Sequence, residues 1–407
     1  MEQLIHKVEE TIQPQHKQVQ AIVETNQEKV LDAFQKLKIS DSHFNPTTGY
    51  GYDDFGRDGL EALYAEIFKA EDAIVRSQLI SGTHAITTAL FGVLRPSDEL
   101  LYITGKPYDT LEEVIGASSD RDKGSLKDFG VTYRSVPLRE GGQINRDEVE
   151  EAVNDRTKVV AIQRSKGYAD RPSFTIKEIE EIIEFIRSIN EKVIIFVDNC
   201  YGEFVETKEP LEAGADLIAG SLIKNPGGGL ARVGGYIAGR ADLIELCGYR
   251  LTAPGLGKET GPSLNTLQEM YQGIFLAPHV VGEALKGAVF TAKLLHELGF
   301  NTSPAYDAYR TDLIQSVNFN TAEQMISFCQ SIQAASPINS HVTPHPGPMP
   351  GYESEVIMAA GTFIQGASLE LTADGPIRPP YMAFVQGGLT YAHVKLAVTK
   401  AVMNSVT

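Results

Sequence analysis

A lysine at the end of an apolar segment is the first residue in this sequence whose position suggests chemistry. Lys224 follows ADLIAGSLI (215–223) and precedes Asn225, Pro226 and three glycines. Most lysines are solvated, but a lysine at a strand end with apolar surroundings can have its pKa lowered, so that its neutral amine attacks an aldehyde. The glycines would let the backbone come close to a bound group. The position favours a nucleophilic lysine over a surface one.

Asp198 is a second residue at the end of an apolar segment. It closes VIIFVD (193–198), and a carboxylate there lies at the carboxyl edge of a sheet, where α/β proteins bind ligands. One interpretation is a charge partner for the protonated ring nitrogen of a cofactor that draws electrons from a bound substrate. The other is a turn or capping residue. The segment by itself leaves both open.

A Ser-Gly-Thr turn precedes an apolar helical segment. Ser81, Gly82 and Thr83 begin SGTHAITTALFGVL, and the free N–H groups and dipole of a helix start form a natural phosphate site. Ordinary N-capping by Ser81 explains the same turn. Ser221, three residues before Lys224, offers a hydroxyl to the same phosphate. A phosphate turn, a strand-end Asp and a strand-end Lys in this order are more specific together than any one alone.

The elements that must position these residues alternate between helix and strand as far as residue 260. A helix over 2–38, broken near Pro14, is followed by a Gly- and aromatic-rich loop and a helix over 59–70. Apolar strands separated by helical segments are predicted at 73–77, 99–104, 131–138, 158–162, 193–198 and 215–223. This alternation predicts an α/β fold with a mostly parallel sheet covered by helices on both faces.

Beyond residue 260 the pattern changes. One or two long helices over 262–298 precede DLIQSVNF, a helix over 321–334, EVIMAA, SLELT and a terminal helix from about residue 386. Strands with fewer intervening helices indicate a smaller α+β domain. We therefore expect an N-terminal helical segment (1–45), a large domain (46–277) and a small C-terminal domain (278–407).

Composition and charge exclude several kinds of partner and site. The 36 Lys and Arg against 53 Asp and Glu give a net charge of −17 without a basic stripe, so neither nucleic acid nor a membrane is expected as a partner. Three dispersed cysteines argue against a disulfide framework and a zinc site. The two prolines of HVTPHP (341–346) make this segment a loop, so no metal is expected from its two histidines. Without a signal peptide or an apolar run of ~18–20 residues, a cytoplasmic chain is expected.

These features resemble the fold type I class of pyridoxal phosphate (PLP) enzymes. The chain is more closely similar to the cystathionine β-lyase and methionine γ-lyase group, and in particular to its bacterial branch of aluminium-resistance or methionine γ-lyase family proteins. The resemblance covers nearly the whole chain and is strongest in GYGYDDFGRDGLEALYAEIF, SGTHAI, VDNCYGEFVE, GSLIKNPGGG and SLELTADGPIRPPY. It implies that the large domain holds a seven-stranded sheet and binds PLP.

The resemblance also implies roles for the residues above. Lys224 would hold PLP as a Schiff base and move the substrate α-proton, and Asp198 would pair with the pyridine nitrogen. The phosphate would be bound by the turn and hydroxyl residues Ser81, Gly82, Thr83 and Ser221.

Four further residues match the family pattern less specifically. Tyr108 resembles the aromatic residue that stacks on the cofactor ring and takes part in catalysis, although a surface tyrosine in a loop would look similar. Tyr52 and Arg57 resemble a pair that reaches the phosphate of the neighbouring subunit, although Arg57 could instead pair with its neighbouring aspartates. Ser165 lies where a polar residue would meet the ring hydroxyl.

The chain departs from the better-known lyases where they bind the substrate carboxylate. Their arginine lies late in the chain in a pattern like SLELT, and here the corresponding position is Glu370, which cannot bind a carboxylate. Arg378, between the prolines of GPIRPPY, is the nearest basic residue and our candidate for that role. A surface arginine in a Pro-rich turn is the alternative.

The resemblance implies a carbon–sulfur lyase that removes a sulfur group from Cβ or Cγ of an amino acid. A PLP aminotransferase or aldolase would have the same fold and cofactor, and a PLP-binding regulatory protein is a further alternative that Glu370 makes conceivable. The Tyr52 and Arg57 pattern implies a homodimer that shares its sites, and the family implies a tetramer.

Overall fold

A computed structural model describes residues 1–117, 123–350 and 352–405. Its helices, in chain order, are α1 (Glu2–Lys36), α2 (Phe55–Phe68), α3 (Gly82–Val93), α4 (Asp109–Ile115), α5 (Arg146–Ala152), α6 (Ile176–Ile189), α7 (Ala241–Leu251), α8 (Leu267–Glu297), α9 (Ala322–Ala334) and α10 (Tyr391–Ser405).

Seven strands form the first sheet, as predicted for the large domain. They are β1 (Asp72–Arg76), β2 (Glu99–Tyr102), β3 (Thr132–Ser135), β4 (Thr157–Gln163), β5 (Ile194–Asp198), β6 (Leu217–Ser221) and β7 (Gly235–Gly239). Their order across the sheet is β1-β7-β6-β5-β4-β2-β3. The four pairings from β6 to β3 are parallel, and β7 pairs antiparallel with both β1 and β6. The sheet is therefore mostly parallel.

Both faces of this sheet are covered, and the side chains of its strands alternate between two cores. In β4, Val160 and Ile162 pack with α2, α6 and α8, whereas Val159 and Ala161 pack with α3 and α7. Strands buried on both faces need apolar residues at successive positions, which explains the continuous runs such as IIFV in β5. Because β4, β5 and β6 run parallel, their carboxyl ends lie at the same edge of the sheet.

The second sheet is antiparallel and lies in the C-terminal part of the chain. Its strands are β8 (Asn301–Ser303), β9 (Gln315–Asn318), β10 (Val356–Ala359), β11 (Thr372–Pro376) and β12 (Met382–Gln386). They are ordered β10-β11-β12-β9-β8. Together with α9 and α10 they enclose a separate core, so the predicted small α+β unit is present. The predicted strand in SLELT was wrong in position, because β11 begins only at Thr372.

The N-terminal helix is continuous, and the predicted break at Pro14 was wrong. Pro14 lies on the exposed side of α1, so the carbonyl that loses its partner to the proline ring can be hydrated. The buried residues Val8, Ile12, Val19 and Val30 hold the helix against the rest of the protein. The packing of α1 along α8 stabilises the helix by more than the proline destabilises it locally.

Helix α8 joins the two parts of the molecule. It runs from Leu267 to Glu297 without interruption, so the division predicted between 277 and 278 falls inside one helix. Its most apolar window is long enough to cross a membrane, but 72% of that window is buried inside the protein. Such burial is typical of a core helix.

Candidate active site

A cavity of about 210 Å³ opens at the shared carboxyl edge of β4, β5 and β6. The start of α3 and loops from the C-terminal part complete its wall. Eight residues singled out in the sequence line it, namely Ser81, Gly82, Thr83, Tyr108, Ser165, Asp198, Ser221 and Lys224. Positions from Ser81 to Lys224 therefore meet in one cavity, which the parallel topology explains.

The turn before α3 presents free N–H groups to this cavity. Ser81 is the N-cap residue, and its Oγ accepts a hydrogen bond of 3.0 Å from the N–H of His84. The N–H of Ala85 donates to the carbonyl of Ser81. Within the described residues, the N–H groups of Gly82 and Thr83 donate to no protein acceptor. Ser81 therefore caps the helix, as one interpretation predicted, while Gly82 and Thr83 leave two N–H donors that an anion could bind.

Close packing at position 82 favours glycine. A Cβ atom there would lie 3.2 Å from Cβ of Ser221 and 3.3 Å from Sγ of Cys200. Ser221 is buried at the end of β6 and so lies beside the turn of α3. The arrangement brings the Ser221 hydroxyl and the free N–H groups to one side of the cavity.

Asp198 is a buried carboxylate at the end of β5. Its Oδ1 accepts a hydrogen bond of 3.1 Å from the N–H of Cys200. Burial raises the pKa of Asp198, and the bond from Cys200 and the charge of Lys224 oppose that shift. No Lys, Arg or His nitrogen in the described chain lies within 4 Å of its oxygens. A buried carboxylate of this kind is stabilised by a cation, such as a protonated ring nitrogen.

Lys224 lies beyond the end of β6 and lines the cavity together with Asp198. Its Nζ is 4.0 Å from the centre of the Tyr201 ring. The next residue, Asn225, is fully buried, and its Nδ2 donates to the carbonyl of Glu203 over 2.8 Å. This bond fixes the backbone that carries the lysine and leaves its amine at the cavity surface.

The glycines after Lys224 serve packing within the protein, which corrects the prediction that they approach a bound group. A Cβ at Gly227 would lie 1.7 Å from the carbonyl oxygen of Leu222, and one at Gly228 would lie 2.2 Å from that of Gly273 in α8. Gly228 also has a φ of +55°, where residues with a side chain are disfavoured. The glycines let the lysine loop lie directly on α8.

Aromatic residues from distant segments complete the opposite wall. The hydroxyl oxygens of Tyr108 and Tyr352 are 2.6 Å apart, and the rings of Tyr108 and Tyr168 lie 5.7 Å apart. Tyr168, Tyr352 and Gln386 were not predicted from the sequence. For Tyr352 the sequence did contain a signal, the Pro- and Gly-rich segment that precedes it, whose composition is typical of a loop over a site. Burial raises the pKa of Tyr108 well above its ordinary value, so its phenol is neutral.

Tyr52 and Arg57 lie outside this cavity. Tyr52 is 51% exposed and stacks on Tyr50 with ring centres 5.5 Å apart. Arg57 is buried, and its guanidinium donates to the carbonyls of Gly51 (2.6 Å) and Gly261 (3.0 Å) and pairs with its neighbour Asp58. Its guanidinium is therefore engaged within its own chain, as the alternative interpretation allowed.

Arg378, the candidate for binding the substrate carboxylate, and Glu370, which replaces the arginine of the better-known lyases, also lie outside the Lys224 cavity. The carboxylate of Glu370 is buried and accepts from the N–H groups of Phe363 (2.9 Å) and Ile364 (2.8 Å), so it stabilises a loop. Arg378 is exposed and lines a neighbouring cavity of about 590 Å³. Tyr108 lines both cavities, so Arg378 lies at an approach to the site.

Comparison with known proteins places the chain in a family. A family model described as methionine gamma-lyase matches residues 1–406. The Bacillus subtilis protein YnbB is 65% identical over 97% of this chain and 94% of its own length. The structure of a carbon-sulfur lyase involved in aluminum resistance from Clostridium novyi is 48% identical, covers 100% of this chain and 95% of that one, and superposes with a TM-score of 0.95.

A more distant structure identifies the fold class. The pyridoxal-5'-phosphate dependent protein YhfS from Escherichia coli is 15% identical, covers 94% of this chain and 96% of that one, and has a TM-score of 0.62. The chain therefore has the fold of type I PLP enzymes, and it belongs to the methionine gamma-lyase family.

Proposed function

We propose that this chain is a PLP-dependent carbon–sulfur lyase that acts on a sulfur-containing amino acid. The observation that carries the proposal is the meeting of the Lys224 amine, the Asp198 carboxylate and the free N–H groups of Gly82 and Thr83 in one cavity. The matching family model and the solved relative called a carbon-sulfur lyase support the same reaction class. With uptake of one water molecule, the products would be a keto acid, ammonia and a thiol, which is hydrogen sulfide when the substrate is cysteine or homocysteine.

The groups of the cavity fit PLP. The free N–H groups beside Ser221 suit a phosphate, and the buried Asp198 suits a protonated pyridine nitrogen. The cavity of about 210 Å³ can enclose the ring, with the amine of Lys224 at its surface. When bound, PLP supplies an electron-deficient ring that stabilises negative charge at the substrate Cα.

Two side chains of the cavity can move protons. Lys224 would hold the cofactor and then accept the proton removed from the substrate Cα. Tyr108 would donate its proton to the departing sulfur, because burial keeps its phenol neutral. The hydroxyl of Tyr352, 2.6 Å from that of Tyr108, orients this proton. Ser165, which lines the same cavity, would meet the ring hydroxyl.

Arg378 would bind the substrate carboxylate. Among the described residues it has no ion-pair partner within 4 Å. Burial raises the pKa of Asp109, and the charge of Arg378 opposes that shift. An exposed guanidinium without a carboxylate partner, beside a cavity that shares Tyr108 with the Lys224 site, is available for a substrate anion.

A second copy of the chain is the partner that we propose. Tyr50, Tyr52 and Phe55 are exposed by 73%, 51% and 60%. The same loop accepts a hydrogen bond at the Thr47 carbonyl from the N–H of Leu264, which is 50% exposed. A cluster of large apolar side chains on one surface is typical of an interface. In a homodimer Tyr52 would reach the partner's phosphate site, and Arg57 would support its loop from within. Sedimentation analysis should show a dimer or a tetramer, and Tyr52→Asp with Phe55→Asp should shift the protein toward monomer.

The function is tested by product analysis with the holoenzyme. A panel of cystathionine, methionine, cysteine and homocysteine is assayed for released thiol, keto acid and ammonia. A lyase gives all three in equal amounts, whereas an aminotransferase gives a keto acid only with an acceptor keto acid and no thiol. An aldolase would instead cleave 3-hydroxy amino acids. Absence of thiol release from every substrate, by protein that contains PLP, would refute the proposal.

A further inference from the structure

A buried carboxylate lies behind the cavity wall that Tyr108, Tyr168 and Tyr352 form, and it has no role in the mechanism described so far. Asp374, in the middle of β11, has no exposed surface. Its Oδ1 accepts a hydrogen bond of 2.7 Å from the hydroxyl of Tyr168, and its Oδ2 accepts one of 3.2 Å from Nε2 of Gln386. No Lys, Arg or His nitrogen in the described part of the chain lies within 4 Å of these oxygens. Burying such a group is costly without a cation.

These bonds decide which polar atoms face the cavity. Tyr168 and Gln386 both line it, together with Lys224. Because the Tyr168 hydroxyl donates to Asp374, the lone pairs of its oxygen remain as acceptors. The amide of Gln386 must likewise turn its NH₂ toward the carboxylate, since the opposite orientation would place two acceptors together. The bond to Asp374 through Nε2 is the only side-chain hydrogen bond of Gln386 within the described residues, so its Oε1 remains available to the cavity. This wall therefore presents hydrogen-bond acceptors to a ligand in the cavity.

The charge of Asp374 persists at neutral pH. Burial raises its pKa to about 6, while the hydrogen bonds from Tyr168 and Gln386 and the charge of Lys224 oppose the shift. The groups that face it from neighbouring elements are held neutral, because burial and the Asp374 charge raise the pKa values of Tyr108, Tyr168, Tyr201, Tyr352 and Cys329. The local charge is thus negative on this side of the cavity.

We propose that Asp374, acting through Tyr168 and Gln386, makes this wall a binding site for the ammonium group of an incoming amine substrate. An ammonium has three donors and no acceptor, which matches two acceptor oxygens backed by a carboxylate. Asp374 is a positioning residue, because it contacts the substrate only through the two side chains in front of it. The inference rests on the proposed entry of an amino acid into this cavity, but it does not depend on which bond is then broken.

The test compares two small ions of similar size and opposite charge. Holoenzyme is treated with borohydride so that its cofactor cannot react, and calorimetry measures the binding of n-butylammonium and of butyrate. The wild type should bind the ammonium at least about tenfold more tightly, as expected for a charge-assisted hydrogen bond. Asp374→Asn should abolish this preference, because a carboxamide can donate to Gln386 or Tyr168 and turn an acceptor into a donor.

Two further variants separate this role from a general loss of structure. Asp312→Asn changes another buried carboxylate, which accepts a hydrogen bond of 3.0 Å from the N–H of Ile314. Within the described residues Asp312 binds no polar side chain of the cavity wall. This variant should keep the preference for the ammonium ion. Tyr168→Phe keeps the ring but removes one acceptor, and it should reduce the preference even if Asp374→Asn fails to fold. Equal binding of the two ions by the wild type would overturn the inference. Thiol release together with equal binding would refute this inference alone, and ammonium preference without thiol release would refute only the lyase proposal.

Discussion

The substitution Glu203→Gln should make the protein more stable at neutral and alkaline pH. Glu203 is fully buried behind the lysine loop, where its Oε1 accepts a hydrogen bond of 2.8 Å from the hydroxyl of Tyr236. Its Oε2 has no hydrogen-bond partner in the described structure. Burial raises the pKa of Glu203 from the ordinary 4.5 to about 8. The folded protein therefore keeps this carboxyl protonated where the unfolded chain has lost the proton.

The sign and size of the effect follow from linkage. Because the folded state binds the extra proton between about pH 4.5 and pH 8, the contribution of Glu203 to stability falls as the pH rises through this window. At ~1.36 kcal/mol per pKa unit, the loss is about 3 kcal/mol at pH 7 and approaches about 5 kcal/mol above pH 8. Glutamine keeps the acceptor for Tyr236 and carries no proton to lose.

Urea unfolding of wild type and Glu203→Gln at pH 5, 6, 7 and 8 measures this difference. We expect similar free energies of unfolding at pH 5 and a widening advantage for the variant toward pH 8. Glu150→Gln, which changes an exposed carboxylate in α5, is the matched control and should leave the pH dependence unchanged. Parallel pH profiles for wild type and Glu203→Gln would refute the assignment of a protonated Glu203.

Three further substitutions test the site. Gly82→Ala should weaken PLP binding about tenfold or more in a cofactor titration. The new Cβ would lie 3.2 Å from Cβ of Ser221 and 3.3 Å from Sγ of Cys200 and would crowd the phosphate turn. An unchanged affinity would show that this turn does not bind the phosphate. Asp198→Asn should lower kcat by about 100-fold or more while PLP remains bound, since the ring nitrogen loses its charge partner; a kcat near that of the wild type would contradict this role. Arg378→Ala should raise KM about tenfold or more with little change in kcat, and an unchanged KM would assign the carboxylate to another residue.

The sequence predicted the residues that lie next to element ends. Asp198, Ser221 and Lys224 end or follow apolar strands, and Ser81 begins a helix. In a parallel sheet such ends meet at one edge, so local patterns were enough to bring these residues together. The same reasoning left Arg57 open, because a guanidinium at this position can bind its own loop or a partner. In the structure it donates to the carbonyls of Gly51 and Gly261.

The second wall of the site could not be predicted, because it depends on packing between distant segments. Asp374 lies in the strand TADGP, whose Asp, Gly and Pro are depleted in strands, yet all five residues are buried. Tyr168 and Tyr352 come from loops without a periodic pattern. The strand GYIAG (β7) was missed for a related reason, since glycine at both ends weakens the local signal. In these segments tertiary contacts override local preference.

Borohydride reduction followed by peptide mass spectrometry measures whether Lys224 holds the cofactor. We expect a phosphopyridoxyl group on the peptide that contains Lys224 in the wild type. Lys224→Ala should carry none, and Lys166→Ala, which changes another buried lysine, should be labelled as the wild type is. A reduced cofactor on Lys166 or any other lysine of the wild type, or an adduct that persists in Lys224→Ala, would contradict the account.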